Sequence, residues 1–336
     1  MSPAERRYGL TIPLHGHTLA EHGDIVTEAE QLGYTDLWSF ETSGIDGFSP
    51  LVHAASHTTT VRLGTAIVAS YTRGPALLAM SATACEQAAP GRFILGVGAS
   101  TQTIVESWNG ITYTKPVSSV RETVRRMRLA FAGERMNLAA GSRGGFRLDM
   151  PPGAHVPVYV GALRAGMLRL AGEVADGVII NFLPARAVPQ VLDEVRAGAS
   201  AAGRDPEGID VVARHMVCTD EMSDETRFAA RFLLAAYVTS PPYEAFLRWL
   251  GLGPLIDPVL DAWRGGDRNA ALAAMGDDLL GDLLVIGGVD ACRARLDEYV
   301  QAGVRVPVVA PFSGVRDMEQ RRAAIRRMVR ELAPGG

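Results

Sequence analysis

The 336-residue sequence has few of the residues that build disulfides or lysine-based sites, since it contains three cysteines and a single lysine. Cys85, Cys218 and Cys292 lie far apart among apolar neighbours, and their number is odd. This pattern excludes a disulfide framework and a CxxC metal clamp, so we predict three thiols in the core. Because Lys115 is the only lysine, any mechanism that needs a lysine elsewhere in the chain is excluded.

Long hydrophobic runs and one-sided charge are also missing. No apolar stretch reaches the roughly 20 residues that a membrane-spanning helix needs, and no secretory signal precedes the strand-like segment Tyr8–Ile12. We therefore expect a cytoplasmic protein without a membrane partner. The net charge is -4, with acidic and basic residues interleaved. Since nucleic-acid binding needs a concentrated basic surface, this charge pattern predicts a small molecule rather than a nucleic acid as partner.

The hydrophobic fraction of 47% supplies a large core, and short apolar runs alternate with amphipathic helical patterns along the whole chain. The runs with the character of buried strands are Tyr8–Pro13, Asp36–Phe40, Val61–Val68, Phe93–Val97, Pro157–Val160, Gly177–Ile180, Ile209–Val217 and Val304–Val309. Parallel strands that are all buried on both sides are typical of a closed barrel. We therefore predict an α/β fold, a (β/α)8 barrel of the TIM type, with residues 1–336 in a single domain.

Two segments are too long for a simple crossover. Residues 133–152 are rich in glycine, arginine and proline, and predict a long loop or a small hairpin. Residues 218–303, between the seventh and eighth strands, contain several helical stretches, including 228–249 with a break at Pro241-Pro242. Because a segment that follows a barrel strand lies at the C-terminal face, we predict that this helical insertion roofs an active site rather than serving as decoration.

The loop after the fifth strand has the pattern of an anion site. Residues 161–166, Gly-Ala-Leu-Arg-Ala-Gly, open a predicted helix. The first amide groups and the dipole of such a helix favour a bound phosphate, and Arg164 lies among them. A glycine beside a helix start is also common in ordinary turns, so spacing alone leaves both interpretations open.

Longer motifs in the chain resemble a known family. The core of the luciferase-like monooxygenase superfamily is similar to three segments, Val61–Ile67, Tyr71–Ala76 and Pro90–Gly98. Its deazaflavin branch is similar to four more, Leu32–Trp38, Pro157–Leu163, Met167–Val178 and Leu296–Val304. The resemblance therefore spans nearly the whole chain in order. It implies a bacterial-luciferase-like barrel with a helical insertion before the last strand, and FMN or coenzyme F-420 as cofactor.

The resemblance also implies where the cofactor lies. In the deazaflavin branch the third strand ends in a bulge with a non-prolyl cis peptide behind the ring, and the matching bond here is Ala66-Ile67. The cofactor phosphate lies at the loop after the fifth strand. The residues after the third strand flank the ring or its tail, and a Ser-Thr pair after the fourth strand lies on the other side. The residues implied to bind the cofactor are Ala66, Ile67, Tyr71, Thr72, Arg73, Ser100, Thr101, Gly161, Ala162, Leu163 and Arg164.

The chain departs from the family pattern at positions that bear on the substrate. Many members carry an Asp-His pair after the second strand, where this chain has Glu41 and Thr42. The sugar-phosphate dehydrogenases carry a glutamate where this chain has Thr101. These differences argue against sugar-phosphate oxidation. A Gly-Pro common in the fifth loop is replaced by Arg164-Ala165, so we expect a modified grip on the phosphate.

His15 and Glu41 are the candidate catalytic residues, because they follow the first and second strands. An HxH pair such as His15 and His17 also begins the metal site of amidohydrolase barrels, but the later strands offer no further ligands, so no metal is predicted. His15 can line the substrate side and relay a proton near neutral pH, or it can be a solvated loop residue. Glu41 can bind the cofactor, act as a general acid, or be a plain surface acid.

These expectations combine into one function. We predict a coenzyme F-420 (deazaflavin)-dependent oxidoreductase that transfers hydride to or from an unidentified small organic substrate held against the ring beneath the insertion. Two alternatives stay open: an FMN-dependent luciferase-like monooxygenase, and a non-catalytic barrel that binds flavin or another ligand. The resemblance also implies a homodimer.

Overall fold

Eight parallel strands form a closed barrel in the structure, a computed structural model that describes residues 7–137 and 144–334. In chain order the strands are Gly9–Thr11, Asp36–Ser39, Arg62–Thr65, Phe93–Gly98, Val158–Gly161, Gly177–Asn181, Asp210–Cys218 and Val306–Pro311. The eighth strand closes the ring by pairing with both the first and the seventh, with Val308 opposite Gly9 and opposite Arg214. The predicted (β/α)8 barrel is confirmed.

Large side chains from several strands pack together within the barrel. One buried cluster consists of Trp38, Ile94, Tyr159, Ile179, Val212, Val306 and Val308. Gly64 lies opposite Trp38 in the pairing of the second and third strands. A Cβ atom at Gly64 would approach the indole ring to 2.3 Å, well inside van der Waals contact. The third strand therefore needs glycine at this position to accommodate the indole.

Helices that follow the barrel strands cover the barrel from outside. They are His22–Gln31, Ser49–Ala55, Pro75–Ala88, Pro116–Phe131, Ala165–Val174, Val188–Ala201, Val289–Gln301 and Met318–Glu331. The helix Pro116–Phe131 shows why they form: Val120, Val124 and Met127 recur at helical spacing and are buried, whereas Arg121 and Arg125 on the other face are exposed. Such an apolar stripe is stabilised chiefly by packing on the sheet.

The third strand is interrupted. The sequence predicts one strand over Val61–Val68, but the structure has Arg62–Thr65 followed by a separate two-residue strand, Val68–Ala69, which pairs with the fourth barrel strand. The peptide bond Ala66-Ile67 between them is cis. The prediction of one continuous strand is therefore wrong, and the non-prolyl cis peptide that the family resemblance implies at Ala66-Ile67 is confirmed.

The segment between the seventh and eighth strands packs around a second hydrophobic cluster, which includes Leu234, Leu260 and Leu280. Its helices before the crossover helix are Asp224–Val238, Pro241–Trp249, Gly253–Arg264, Arg268–Ala273 and Asp277–Leu283. The helical stretch predicted over 228–249 is divided because Pro241 and Pro242 begin a new helix. A short strand that the sequence does not predict, Val285–Ile286, pairs with the end of the seventh strand. The single-domain organisation stays a prediction.

The loop predicted over residues 133–152 is described only in part. Met136 and Phe146 pair as an antiparallel bridge across it, as in a small hairpin. Residues 138–143 of this loop lie outside the described residues. Residues 1–6, which the prediction of no secretory signal concerns, also lie outside them.

Cys85, Cys218 and Cys292 are buried and free, which confirms the predicted core thiols. Burial raises the pKa of Cys85 to about 12, so this thiol stays protonated at neutral pH. Across the described part of the chain, no helix combines the length and the apolar character that crossing a bilayer requires.

Candidate active site

The carboxyl ends of the barrel strands surround a cavity of about 540 Å³. Most of its lining residues lie at the ends of the second to seventh strands or in the loops after them, the face at which TIM-type barrels carry their chemistry. The insertion contributes Tyr237, Pro242, Tyr243 and Trp249. The cavity is therefore enclosed by barrel loops and by the helices before the eighth strand.

One side of the cavity is apolar and surrounds the cis peptide. Gly98 and Gly161, on the fourth and fifth strands, lie against the side chain of Ile67. A Cβ atom at Gly161 would stand 2.9 Å from Ile67 Cγ2, and one at Gly98 would stand 3.0 Å from Ile67 Cδ1. Glycine at both positions leaves room for Ile67. Together with Ala66, these residues line the cavity with a surface that suits a planar ring.

The loop after the fifth strand presents unbonded amide groups to the cavity. Helix Ala165–Val174 begins there with Arg164 as its N-cap residue, in an extended conformation and without a side-chain cap. The amides of Ala165 and Gly166 have no acceptor among the described residues, and the positive end of the helix dipole adds to them. The predicted residues Gly161, Ala162, Leu163 and Arg164 all line the cavity. This donor set can hold a phosphate.

The loop after the fourth strand forms another wall. Ser100 has a φ of 60°, in the left-handed region, which is uncommon for residues other than glycine and is found preferentially at ligand sites. Thr101 Oγ1 accepts a hydrogen bond of 3.4 Å from the amide of Ile104, beside the π-helical turn Thr103–Trp108. Tyr113 Oη donates to the carbonyl of Ser100 at 3.4 Å. The predicted Ser-Thr pair therefore lies on the cavity, with Tyr113 beside it.

Three polar side chains that the sequence analysis missed line the cavity beneath the insertion. Tyr243 Oη donates to Asn181 Oδ1 at 3.1 Å, and burial raises the pKa of Tyr243 well above its ordinary value. Arg214 is opposite Asn181 in the strand register. It donates from Nε to Thr11 Oγ1 at 3.2 Å, and its guanidinium carbon stands 4.4 Å from the centre of the Phe40 ring. The signal in the sequence that could have indicated these three residues is the presence of an arginine, Arg214, inside an otherwise apolar strand.

Glu41 lines the cavity, as predicted for a site residue, but its carboxylate is already engaged. Arg73 Nε donates to Glu41 Oε1 at 2.9 Å, and the amide of Gly47 donates to the same oxygen at 3.0 Å. Arg73 also lies 3.7 Å from a carboxylate oxygen of Asp46. Arg73 itself does not line the cavity. Arg73 therefore pairs with the Glu41 carboxylate and does not contact the cavity.

Tyr71 and Thr72 also lie outside the cavity lining, in contrast to the positions implied by the resemblance. Tyr71 Oη donates to the carbonyl of Thr114, and its ring lies 5.1 Å from that of Tyr113, centre to centre. Tyr71 therefore supports a residue that lines the cavity. The side chains after the bulge diverge from the cavity because Arg73 pairs with Glu41 and Tyr71 packs on the neighbouring loop.

No histidine lines the cavity in the part of the chain that is described. His15 is exposed, and its carbonyl contacts Nδ1 of His17 at 3.3 Å. The loop is held instead by buried His22, whose Nε2 accepts from the amide of Leu14 and whose Nδ1 donates to the carbonyl of Thr18, both at 2.7 Å. His22 carries no signal in the sequence that distinguishes it from other histidines on helices. Within residues 7–137 and 144–334, no three metal-ligating side chains are grouped to hold an ion.

Comparison with known proteins identifies the family. Residues 4–306 match the luciferase-like monooxygenase family, and the chain belongs to it. A 5,10-methylenetetrahydromethanopterin reductase of Methanolobus tindarius is 32% identical over 281 residues, which cover 82% of this chain and 85% of that protein. The resemblance drawn from the sequence segments is confirmed.

Solved structures share the fold. A coenzyme F-420-dependent tetrahydromethanopterin reductase from Methanopyrus kandleri superposes with a TM-score of 0.77 at 23% identity, covering 98% of this chain and 99% of that chain. An F-420-dependent secondary alcohol dehydrogenase in complex with an F-420-acetone adduct gives a TM-score of 0.75 at 17% identity, covering 97% and 99%. At these identities the likeness establishes a common barrel architecture.

Proposed function

We propose that the protein is an oxidoreductase that uses coenzyme F-420 to transfer hydride to or from a small organic substrate. One observation carries the proposal: a single cavity combines the apolar surface around Ala66-Ile67 with the free amides and the guanidinium after the fifth strand. A planar ring on a phosphate-bearing arm needs both an apolar surface and an anion site. The Methanolobus reductase and the two F-420-dependent solved enzymes agree with this assignment.

Different residues of the cavity would hold the phosphate and the ring of the cofactor. The amides of Ala165 and Gly166 and the guanidinium of Arg164 would bind the phosphate through charge-assisted hydrogen bonds at a helix N-terminus. Ile67, packed between Gly98 and Gly161, would provide an apolar surface for the ring. When bound, the deazaflavin supplies two-electron hydride chemistry, and the protein supplies its orientation.

Tyr243 takes the role of proton donor that the sequence analysis gives to His15 or Glu41. The Tyr243 hydroxyl is protonated at neutral pH, as an ordinary phenol is, and its hydrogen bond to Asn181 orients it within the cavity. His15 lies outside the cavity and Glu41 is engaged by Arg73. Tyr243 can therefore donate its proton from Oη to an oxygen or nitrogen atom of the substrate.

The test is an equilibrium titration with F-420 and, in parallel, with FMN, followed by cofactor fluorescence. We expect F-420 to bind, and Arg164→Ala to weaken binding about tenfold or more, because a hydrogen bond to a charged group contributes about 1.5–3 kcal/mol. Arg196→Ala is the matched control, since Arg196 is exposed on helix Val188–Ala201 and does not line the cavity.

Two outcomes would overturn the proposal. Tight binding of FMN without binding of F-420 would indicate an FMN-dependent monooxygenase of the same family. Binding of F-420 without turnover across a broad panel of alcohols, ketones, imines and enoates would indicate a non-catalytic binding barrel.

We also propose that the protein acts as a homodimer in the cytoplasm. Leu77 and Met80, on one face of helix Pro75–Ala88, are 49% and 48% exposed, and Val52 on helix Ser49–Ala55 is 41% exposed. Exposed apolar groups of this kind are typical of interfaces, and three free cysteines suit a reducing compartment. Light scattering should give twice the 35.8 kDa chain mass, and Leu77→Glu should shift the protein to monomer. A monomeric wild type would contradict the dimer.

A further inference from the structure

Arg214 is a cation on the cavity without an acidic partner. In the part of the chain that the structure describes, no aspartate or glutamate forms an ion pair with it. Its neighbours are neutral: the Thr11 hydroxyl, the Phe40 ring, and the phenols of Tyr237 and Tyr243. The guanidinium is half-buried, in the interior of the barrel mouth.

The other half-buried arginines in the described part of this fold have an acid beside them or, as Arg92 and Arg204 do, donate to a backbone carbonyl. Arg73 pairs with Glu41, and Arg7 pairs with Asp36 and Asp210. A charge taken out of water without a partner is unfavourable, and pairing it with an opposite charge relieves the cost. Among the described residues Arg214 has neither an acid nor a backbone carbonyl as acceptor, so an anion from outside the chain would complete its surroundings.

The charges around the cavity separate into two positive sites. Glu41 is the one carboxylate among the described lining residues, and Arg73 engages it. Arg164 belongs to the loop after the fifth strand, whereas Arg214 lies in the seventh strand, with the sixth strand between them. Because the cofactor phosphate needs the free amides beside Arg164, the site at Arg214 is left for a different anion.

We infer that Arg214 binds a carboxylate group of the substrate, which makes the substrate a small organic monoacid. That the bound acid is the molecule that exchanges hydride rests on the proposed function. A single guanidinium with aromatic neighbours matches a planar, singly charged carboxylate. A phosphate dianion would need further donors of the kind that the fifth loop has and this site lacks. The hydroxyl of Tyr243 lies near enough to Arg214 to interact with it electrostatically and can serve a second polar group of the same molecule.

The experiment compares an aromatic acid with its neutral isostere. Calorimetric titration of the F-420-loaded protein with benzoate and with benzamide should show a preference for benzoate of about tenfold or more. Arg214→Gln should reduce that preference to about twofold or less, while Arg196→Gln should retain it. Cofactor loading, measured by absorbance in each sample, should be the same in all three proteins.

The outcomes separate the two proposals. Equal affinity of the wild type for benzoate and benzamide, or a preference that survives Arg214→Gln, would overturn the carboxylate site. Failure of the wild type to load F-420, with the benzoate preference intact in the cofactor-free protein, would overturn the proposed function and leave the carboxylate site standing. If Arg214→Gln does not fold, a crystal structure of the wild type with benzoate decides the matter, because the carboxylate must lie at about 3 Å from the guanidinium and a benzoate elsewhere would reject the site.

Discussion

Replacing Gly161 by alanine should disturb the cavity by a steric conflict that can be read directly from the structure. The new Cβ atom would stand 2.9 Å from Ile67 Cγ2 and 3.8 Å from Ile67 Cβ. The first contact is shorter than an ordinary carbon contact by about half an ångström. It involves a branch next to the backbone, which cannot rotate away as the end of a flexible side chain can. Either Ile67 or the fifth strand must therefore move.

The expected cost of Gly161→Ala follows from this overpacking. The free energy of unfolding should fall by about 1–3 kcal/mol, as measured by urea denaturation. The affinity for F-420 should fall about tenfold or more, because both residues support the same apolar surface. Gly44→Ala is the control, since a Cβ atom at Gly44 would meet nothing within 4 Å.

A double-mutant cycle makes the reasoning sharper. In the Ile67→Ala background the conflicting methyl group is absent, so Gly161→Ala should cost clearly less than it does in the wild type. Unchanged stability and F-420 affinity in Gly161→Ala, or an equal cost with and without the Ile67 side chain, would refute the steric conflict.

Three further predictions concern residues that support the site or the fold. Burial lowers the pKa of His22 below 6.5. The hydrogen bond that its neutral ring accepts from the Leu14 amide therefore stabilises the fold fully above pH 6.5, and this stabilisation declines as the pH falls through the folded-state pKa. Urea denaturation should show this decline in the wild type and a flatter profile in His22→Gln; equal slopes would contradict it. Burial alone would raise the pKa of Glu30, but hydrogen bonds from the amides of residues 59–61 lower it to about 2. The Glu30 carboxylate therefore contributes its full share to folding stability above pH 4.5, and this share is lost as the pH falls toward 2. Glu30→Gln should therefore flatten the acid-unfolding curve in that range, and an unchanged curve would argue against it. Tyr71→Phe removes the hydrogen bond to the Thr114 carbonyl and should weaken F-420 binding about fivefold, by roughly 1 kcal/mol. If the variant bound F-420 with wild-type affinity in the titration, this hydrogen bond would have no part in positioning the cavity wall beside Tyr113.

The barrel could be predicted because each strand is a short buried run between amphipathic helices. The ends of the strands were less predictable. The first strand is Gly9–Thr11 instead of Tyr8–Pro13, since hydrogen bonds to the neighbouring strands, and not composition, decide where pairing stops. The interruption at Ala66-Ile67 leaves the hydrophobic pattern continuous, so periodicity alone does not show it.

The part of the candidate site that consists of backbone groups could be predicted from the sequence. The loop Gly161 to Arg164 was recognisable because glycine and a helix start have a direct local meaning. Arg214 was missed because it lies in a strand that is buried on both sides. Sequence alternation assigns Arg214 and His215 to opposite faces without showing which face is the barrel interior. The structure shows it: His215 packs against Tyr299 on the outer helix, 4.0 Å between ring centres, and Arg214 lines the cavity.

The second hydrophobic cluster gives the insertion a packing centre separate from the main core of the barrel. The aromatic side chains over the cavity, Tyr237, Tyr243 and Trp249, belong to that insertion, whereas the loop that we propose for the phosphate belongs to the barrel. Sequence changes in the insertion can therefore alter this side of the cavity while the loop after the fifth strand stays unchanged. Because the second cluster also contains Phe182, Phe312 and Met328 of the barrel, a graft of residues 224–283 between relatives would need to carry these three side chains with it.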